Sequence, residues 1–197
     1  MTKTAKIIGR SVLVFFTVII VSCAGLYLFS AYSAKKNTDE NTDAAVFIGE
    51  ILTASYPGQQ EQLSDVRMPV INFGGTDYSA LLDIQAHSVH IPVRSSWQNQ
   101  FSDPSPCRFR GSCYDGSLII GGADFKGQFD FISDIDIGEK VTVTDMTGAV
   151  FTFTVDAVRH SKDIDNDLKK SGEYDLLLFS NSRRSHDHII VCCAHQS

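Results

Sequence analysis

The sequence predicts an all-β domain, a sandwich or a barrel, behind one N-terminal transmembrane helix. Three observations support this fold class. Residues 11–32 form an uncharged apolar stretch. The rest of the chain has short apolar runs that are separated by turn residues, which is typical of β proteins. In several of these runs apolar and polar residues alternate, so that one face of each strand is apolar.

The apolar stretch is long enough to cross a membrane, because about 20 residues span a hydrocarbon core of about 30 Å. Lys3, Lys6 and Arg10 precede it, which favours a cytoplasmic N-terminus. We therefore predict that residues 1–10 are cytoplasmic and that residues 11–33 are a single-pass signal-anchor in the cell membrane. The rest of the chain is then extracellular.

Two other interpretations of this segment are open. Residues 20–23 (Ile-Val-Ser-Cys) are similar to a lipobox, in which Cys23 would be lipidated after cleavage. Residues 31–33 contain the small residues of a cleavage site, although the apolar core is longer than the ~7–15 residues of a secretory signal. Each interpretation places residues 35–197 outside the cytoplasmic membrane, where cysteines can form disulfides.

The charge excludes one class of partner. The chain has 17 basic and 23 acidic residues and a net charge of −6. Residues 1–34 contribute three positive charges and no negative one, so residues 35–197 carry −9. Nucleic-acid binding depends on cationic neutralisation of phosphates, so no nucleic-acid partner is expected.

The extracellular part is predicted to have two segments. Residues 34–63 are expected to form a stalk, polar over residues 34–45, and a helical segment that ends before Pro57. The β domain is expected at residues 64–197, with a short helix at residues 129–135. The expected strands are residues 78–84, 88–93, 116–121, 140–145, 150–159, 174–180 and 188–193.

Four cysteines lie in this extracellular part, and they allow three pairings. Cys107 and Cys113 are six positions apart in a loop with Pro and Gly, and a disulfide between them is a possible pairing. Cys192 and Cys193 are adjacent in the last expected strand, where they are more typical of buried apolar residues.

Residues 118–155, LIIGGADFKGQFDFISDIDIGEKVTVTDMTGAVFTFTV, resemble the middle of a sortase, close to the class B-like sortases of Gram-positive bacteria. The match is specific around Thr144-Asp145-Met146 and at Asp175–Phe179, and it is weak over residues 94–115. Residues 81–93, LLDIQAHSVHIPV, are similar to the first strand pair of the family, and residues 174–193, YDLLLFSNSRRSHDHIIVCC, are similar to its end. The resemblance covers about residues 78–193.

Sortases are membrane-anchored cysteine transpeptidases. They cleave a sorting signal near the C-terminus of a secreted protein and transfer the acyl group to an amine of the cell wall or of a pilin. The resemblance therefore implies a closed β-barrel of about eight strands with short helices. No cofactor is expected, although some sortases contact calcium through carboxylates, which leaves a loose calcium contact of the acidic residues 163–167 open. The family chemistry uses a Cys nucleophile, a His that protonates the leaving amine and an Arg that stabilises the oxyanion.

The sequence departs from the family at all three catalytic positions. The His position is matched by Ala123, the Cys position by Asn181 and the Arg position by His188. Residues 117–130 contain no His and residues 172–190 contain no Cys, so these losses do not depend on one exact alignment. The resemblance with this triple loss predicts an inactive sortase-like protein, a pseudosortase. We expect it to bind a sorting-signal-like peptide, a pilin subunit or a partner sortase.

The alternative prediction is an active enzyme of the same fold that uses a substitute nucleophile. Ser180 and Ser182 flank Asn181, and a Ser182–His188–Asp124 triad can be written. Adjacent strand residues point to opposite faces, however, so these serines would face away from the Cys position.

Cys192 or Cys193 could replace the nucleophile only at an electropositive, partly exposed position, which a reactive thiol needs.

A third hypothesis for the function is a purely structural surface spacer with a closed groove.

No metal site is predicted. His186, His188 and Cys192 share strand parity and could face a zinc ion together, but a fourth ligand is lacking. Residues 163–167 resemble the start of a calcium loop, but Leu168 and Tyr174 replace its Gly and its final Glu. These acidic residues are more typical of a solvated loop.

Overall fold

The structure is a computed structural model. It describes residues 3–55, 68–97, 105–124, 126–169, 172–181 and 188–196. The chain forms two compact units, Met1–Lys36 and Asn37–Ser197. One helix, α1 (Lys3–Ser55), contributes to both units.

In the first unit, α1 carries the apolar stretch. Its side chains there, such as Leu26 and Phe29, are exposed, as expected of a surface that meets lipid. Among the described residues, this is the one helix long and apolar enough to cross a membrane. The predicted segment at residues 11–33 lies entirely within it.

In the second unit, the described residues form nine strands of one sheet. The strands are β1 (Ile71–Phe73), β2 (Thr76–Ile84), β3 (Val89–Arg94), β4 (Cys107–Arg110), β5 (Leu118–Ala123), β6 (Lys140–Asp145), β7 (Val150–Ser161), β8 (Leu176–Asn181) and β9 (His188–His195). The short helix α2 spans Ile164–Lys169, and single 3₁₀ turns occur at Gln85–His87 and Asp130–Ser133.

Eight of these strands close into a barrel. The order is β2-β3-β4-β5-β8-β9-β7-β6, and β6 pairs with β2 to complete the ring. β1 pairs with the first residues of β2, outside the ring. The closed barrel of about eight strands predicted from the sequence is confirmed.

The main core fills the barrel interior. Strand alternation assigns residues to this core or to the outer surface. Leu118 and Ile120 of β5 belong to the inner core, and so do Leu176 and Leu178 of β8. The residues between them form a second cluster on the outer surface, which we call the outer-face cluster. Its members are Ile119, Leu168, Leu177, Phe179, Ile190 and Cys192, with the half-buried Trp97 and Phe109 packed on them.

The second half of α1 packs on the barrel. Ala44, Ala45, Ile48 and Leu52 form a third cluster, whose barrel side is Tyr78, Leu81 and Met146. These four helix residues recur at helical spacing, so they form one buried apolar stripe of the helix. The polar stalk expected at residues 34–45 is therefore helical, and its last part is buried against strands.

Candidate functional site

The register of β5 and β8 brings two of the predicted site positions together. These strands are parallel neighbours, and Ala123 is the partner of Asn181 at the end of both. The next strand, β9, begins at His188, whose Nδ1 lies 3.2 Å from the carbonyl oxygen of Ser180. The three positions matched to the sortase His, Cys and Arg therefore lie at one end of the barrel.

Ala123 lies in a closed turn. Its side chain is only 1% exposed. Its N–H donates to Gln128 Oε1 at 2.7 Å, and its carbonyl accepts from the N–H of Phe129 at 3.1 Å. The turn is also tied to α1, because Asn41 Nδ2 donates to the carbonyl of Gly127 at 3.0 Å. A methyl group at this position transfers no proton, so it does not replace a catalytic His.

Ser180 is buried on the inner side of the barrel. It has the strand parity of Leu176 and Leu178, which belong to the inner core. Its Oγ accepts from the N–H of Ile189 at 3.4 Å, and only 2% of the residue is exposed. These contacts make it a structural residue. Ser182 lies outside the described residues.

The thiols of Cys192 and Cys193 do not meet the requirements of a displaced nucleophile. They pair with Leu177 and Leu176, about 13–17 Å along the strand from Asn181. Cys193 belongs to the inner core and Cys192 to the outer-face cluster. Burial raises the pKa of both thiols, that of Cys193 most strongly, and a thiol is nucleophilic only as the thiolate.

Cys107 and Cys113 are both buried free thiols, contrary to the possible disulfide. Cys107 starts β4 opposite Gly121, and its Sγ donates to the carbonyl of Ser105 at 3.5 Å. Cys113 belongs to the inner core instead. Burial, and then the nearby Asp145, raise the pKa of Cys113 to about 12. The two thiols therefore lie in different environments.

Among the described residues, no group of three or more His, Cys, Asp or Glu side chains is placed to hold a metal ion. The acidic run at residues 163–167 has a structural role, since Asp163 Oδ1 accepts from the N–H of Asn166 at 3.2 Å at the start of α2. This is the contact of a helix N-cap. His186 of the considered zinc set lies outside the described residues.

An aromatic cluster covers the outer face next to Ala123. The ring centroids of Trp97, Phe109 and Phe179 lie 5.4–5.5 Å from one another. The rings are seated on Gly121, where a Cβ would lie 2.4 Å from Phe179 Cζ and 2.5 Å from Trp97 Cζ3. Ile119, Gly121 and Ala123 share this face by strand alternation, so the cluster borders the predicted site directly.

A cleft of about 450 Å³ opens on the far side of the aromatic cluster. Ile119 and Leu177 lie in its lining and are register partners. Their pair comes two residues before the Gly121–Phe179 pair and four residues before the Ala123–Asn181 pair. Its other side chains include Arg110, Asp115, Ser117 and Tyr174. Sequence reasoning missed this cleft and the role of Gly121, because their residues come from distant parts of the chain.

No family model matches the sequence, and no curated protein matches it. Solved structures do match, and many are sortases. A sortase C1 of Streptococcus agalactiae in complex with MTSET has a TM-score of 0.51 at 9% identity, over 81% of this chain and 90% of that one. A sortase D5 transpeptidase of Clostridium perfringens has a TM-score of 0.51 at 17% identity, over 84% of this chain and 99% of that one.

A third structure is sortase C of Clostridium perfringens with the C-terminal cell wall sorting motif. Its TM-score is 0.50 at 10% identity, over 84% of this chain and 88% of that one. The chain therefore has the sortase fold. At such identities the likeness concerns the fold alone, since one fold supports many chemistries. The class B-like assignment stays a prediction.

Proposed function

We propose that this chain is a membrane-anchored, extracellular pseudosortase that binds a peptide segment of a surface protein and catalyses no transpeptidation. The observation that carries the proposal is the pairing of Ala123 with Asn181 where β5 and β8 end. In a sortase fold this end of the barrel is the place that the resemblance assigns to the His and the Cys. Here the two positions hold a methyl group and an amide.

The chemical cost of these replacements is large. Without a Cys nucleophile no acyl-enzyme forms, so the covalent route is lost. Loss of a general acid costs about 10²–10⁴ in rate, and loss of one oxyanion donor costs about 10²–10³. Ser180 is buried and hydrogen-bonded, and the thiols of Cys192 and Cys193 are buried, which argues against substitution by these residues.

The proposed ligand is a peptide, a pilin segment or a segment of a partner sortase. Support comes from the sortase C neighbour, whose structure includes a cell wall sorting motif. The apolar part of α1 supports attachment to the membrane. A binding protein needs only the folded barrel and its surface, and both persist without the three catalytic residues.

The test uses the full chain in detergent micelles in two versions, native and Ala123→His/Asn181→Cys/His188→Arg. Each is incubated with a pool of sorting-signal peptides and an amine acceptor, and products are identified by mass spectrometry. Cleavage by the restored version alone supports an intact peptide groove that has lost its chemistry. Cleavage by the native chain would overturn the proposal in favour of an active enzyme with substituted residues.

If neither version cleaves a peptide, a third version of the protein distinguishes the remaining explanations. Trp97→Ala is added to the triple variant, because the Trp97 ring covers the face beside Ala123. Cleavage that appears only on this background supports a groove closed by its own aromatic cluster. Silence from all three folded proteins would contradict peptide binding at this end and favour a structural spacer.

A further inference from the structure

We propose that the 450 Å³ cleft is a binding site for an acidic peptide segment, in which a Glu or Asp side chain lies beside aliphatic residues. This proposal rests on the proposed binding function and names the class of its ligand. It places the ligand away from Ala123 and Asn181, on the other side of the aromatic cluster. The cleft opens on the outer face, whereas Ala123 is buried.

The floor of the cleft is aliphatic. Ile119 of β5 and Leu177 of β8 are register partners, and both belong to the outer-face cluster. A cleft of about this volume falls within the range of ~300–1,000 Å³ that is usual for ligand sites. Its apolar floor with a few polar groups at the rim fits a short aliphatic peptide segment.

The rim offers hydrogen-bond donors. Arg110 is exposed, and its Nη2 donates to the carbonyl of Leu168 at 2.7 Å. Within the described part of the chain, this is the one hydrogen bond of the Arg110 side chain, and the side chain forms no ion pair there. The guanidinium is thus held in place with donors left over, which suits a carboxylate.

Tyr174 supplies a second donor. Its hydroxyl oxygen accepts from Arg159 Nη2 at 2.9 Å, and the guanidinium lies 5.2 Å from its ring centroid. The hydroxyl hydrogen has no acceptor within the described ranges. Asp115, the one acid among the described lining residues, accepts through Oδ1 from both the N–H and the hydroxyl of Ser117 and keeps its negative charge. Arg110 and Tyr174 are therefore the groups of the rim that suit an acceptor.

The loop at the rim is rigid, so the cleft is formed before a ligand arrives. The N–H of Ser117 donates to the carbonyl of Ser112 at 3.2 Å, closing the loop. Gly111 adopts φ +76° with its Hα side against the Ser117 carbonyl, where a Cβ would lie at 1.9 Å. A preformed site loses less conformational entropy on binding than a mobile one.

The experiment measures binding to the full chain in detergent micelles by fluorescence anisotropy. The probes are fluorescein-labelled peptide pools with blocked ends, in which Leu, Ile and Val flank a central Glu, and matched pools with a central Gln. A third pool keeps the Gln but has a free C-terminal carboxylate, which distinguishes a terminal from a side-chain carboxylate. The Glu pool is expected to bind about ten- to hundredfold more tightly than the Gln pool.

Variants assign the preference to the cleft. Arg110→Gln is expected to abolish the preference for Glu, and Arg110→Lys to retain part of it. Lys140→Gln, which removes the same charge at an exposed position outside the cleft lining, is expected to change nothing. Thermal unfolding of each variant verifies that it is folded.

Four results would overturn the proposal. The first two are no binding of the Glu pool at about 1 mM and equal binding of the Glu and Gln pools. The others are equal effects of the Arg110 and Lys140 variants and a preference for the free carboxylate pool. None of these results bears on transpeptidation, and peptide cleavage by the native chain would overturn the pseudosortase without touching the Arg110 result. The two proposals therefore fail separately.

Discussion

Gly121 determines how the outer face of the barrel is covered. Two rings, of Trp97 and Phe179, occupy the space in which any other residue would place its Cβ. Its neighbour Gly122 has the same relation to the inner core, where a Cβ would lie 2.9 Å from the Phe129 ring. Adjacent glycines thus allow aromatic residues to pack closely on both faces of β5.

Gly121→Ala is expected to lower the free energy of unfolding by about 1–3 kcal/mol, because the added methyl group displaces packed rings. Urea unfolding of the full chain in detergent, followed by the fluorescence of its single tryptophan, measures this. Gly172→Ala is the control, since a Cβ there meets no atom within 4 Å. Equal stability of the two variants would show that the rings are not seated on Gly121.

At the scale of elements, α1 has two different surfaces. Its first part is apolar on the outside, whereas residues 44–52 bury one stripe against β2 and β6. Ile48 is the central residue of that stripe and is fully buried. The helix thus serves as an apolar segment in one unit and as part of the packed domain in the other.

Ile48→Ala is expected to cost about 2–5 kcal/mol, the usual range for a buried Ile truncated to Ala. Val46 lies on the same stretch of helix but is 54% exposed, so Val46→Ala is expected to change stability by less than about 0.5 kcal/mol. Urea unfolding compares the two variants. A small effect of both would mean that this half of α1 does not contribute to the stability of the domain.

The elements also show what sequence patterns can predict. β6 was predicted with its observed bounds, because residues 140–144 alternate between polar and apolar side chains. In the structure its buried positions alternate with less buried ones. β4 has four residues, two of them Arg, and it gives no alternation long enough to be recognised. The helix at residues 34–55 was underestimated, since charged residues around the buried stripe resemble a solvated linker.

For the whole molecule, the resemblance predicted the barrel and the two positions that its strands bring together. The pairing of Ala123 with Asn181 follows from the parallel register of β5 and β8. The resemblance predicts that the two positions are close, because it matches them to the catalytic His and Cys of the family. The aromatic cluster joins Trp97, Phe109 and Phe179, of which Phe179 alone lies in a segment with a specific match to the family. Such contacts depend on the folded topology, so the sequence does not reveal them.

The predicted topology has a direct test. Ile137 is 69% exposed on the barrel unit, so Ile137→Cys is expected to react with a membrane-impermeant maleimide on intact bacteria that express the chain. Thr4→Cys, before the apolar stretch, is expected to react only after permeabilisation. The four native cysteines of the barrel unit are buried and give little background. The opposite labelling pattern would reverse the topology.

The ring of strands is not equally strong all the way around. Among the described residues, β3 and β4 are joined by one register pair, Arg94 with Cys107, whereas β7 and β9 are joined by eight. Local opening begins where few backbone hydrogen bonds join neighbouring strands, so we expect β3 and β4 to separate before the other strand pairs. Trp97 lies three residues after the end of β3, so this separation would lift its ring off Gly121. Separation of β3 from β4 would then also control whether the Trp97 ring stays packed on Gly121 and Phe179.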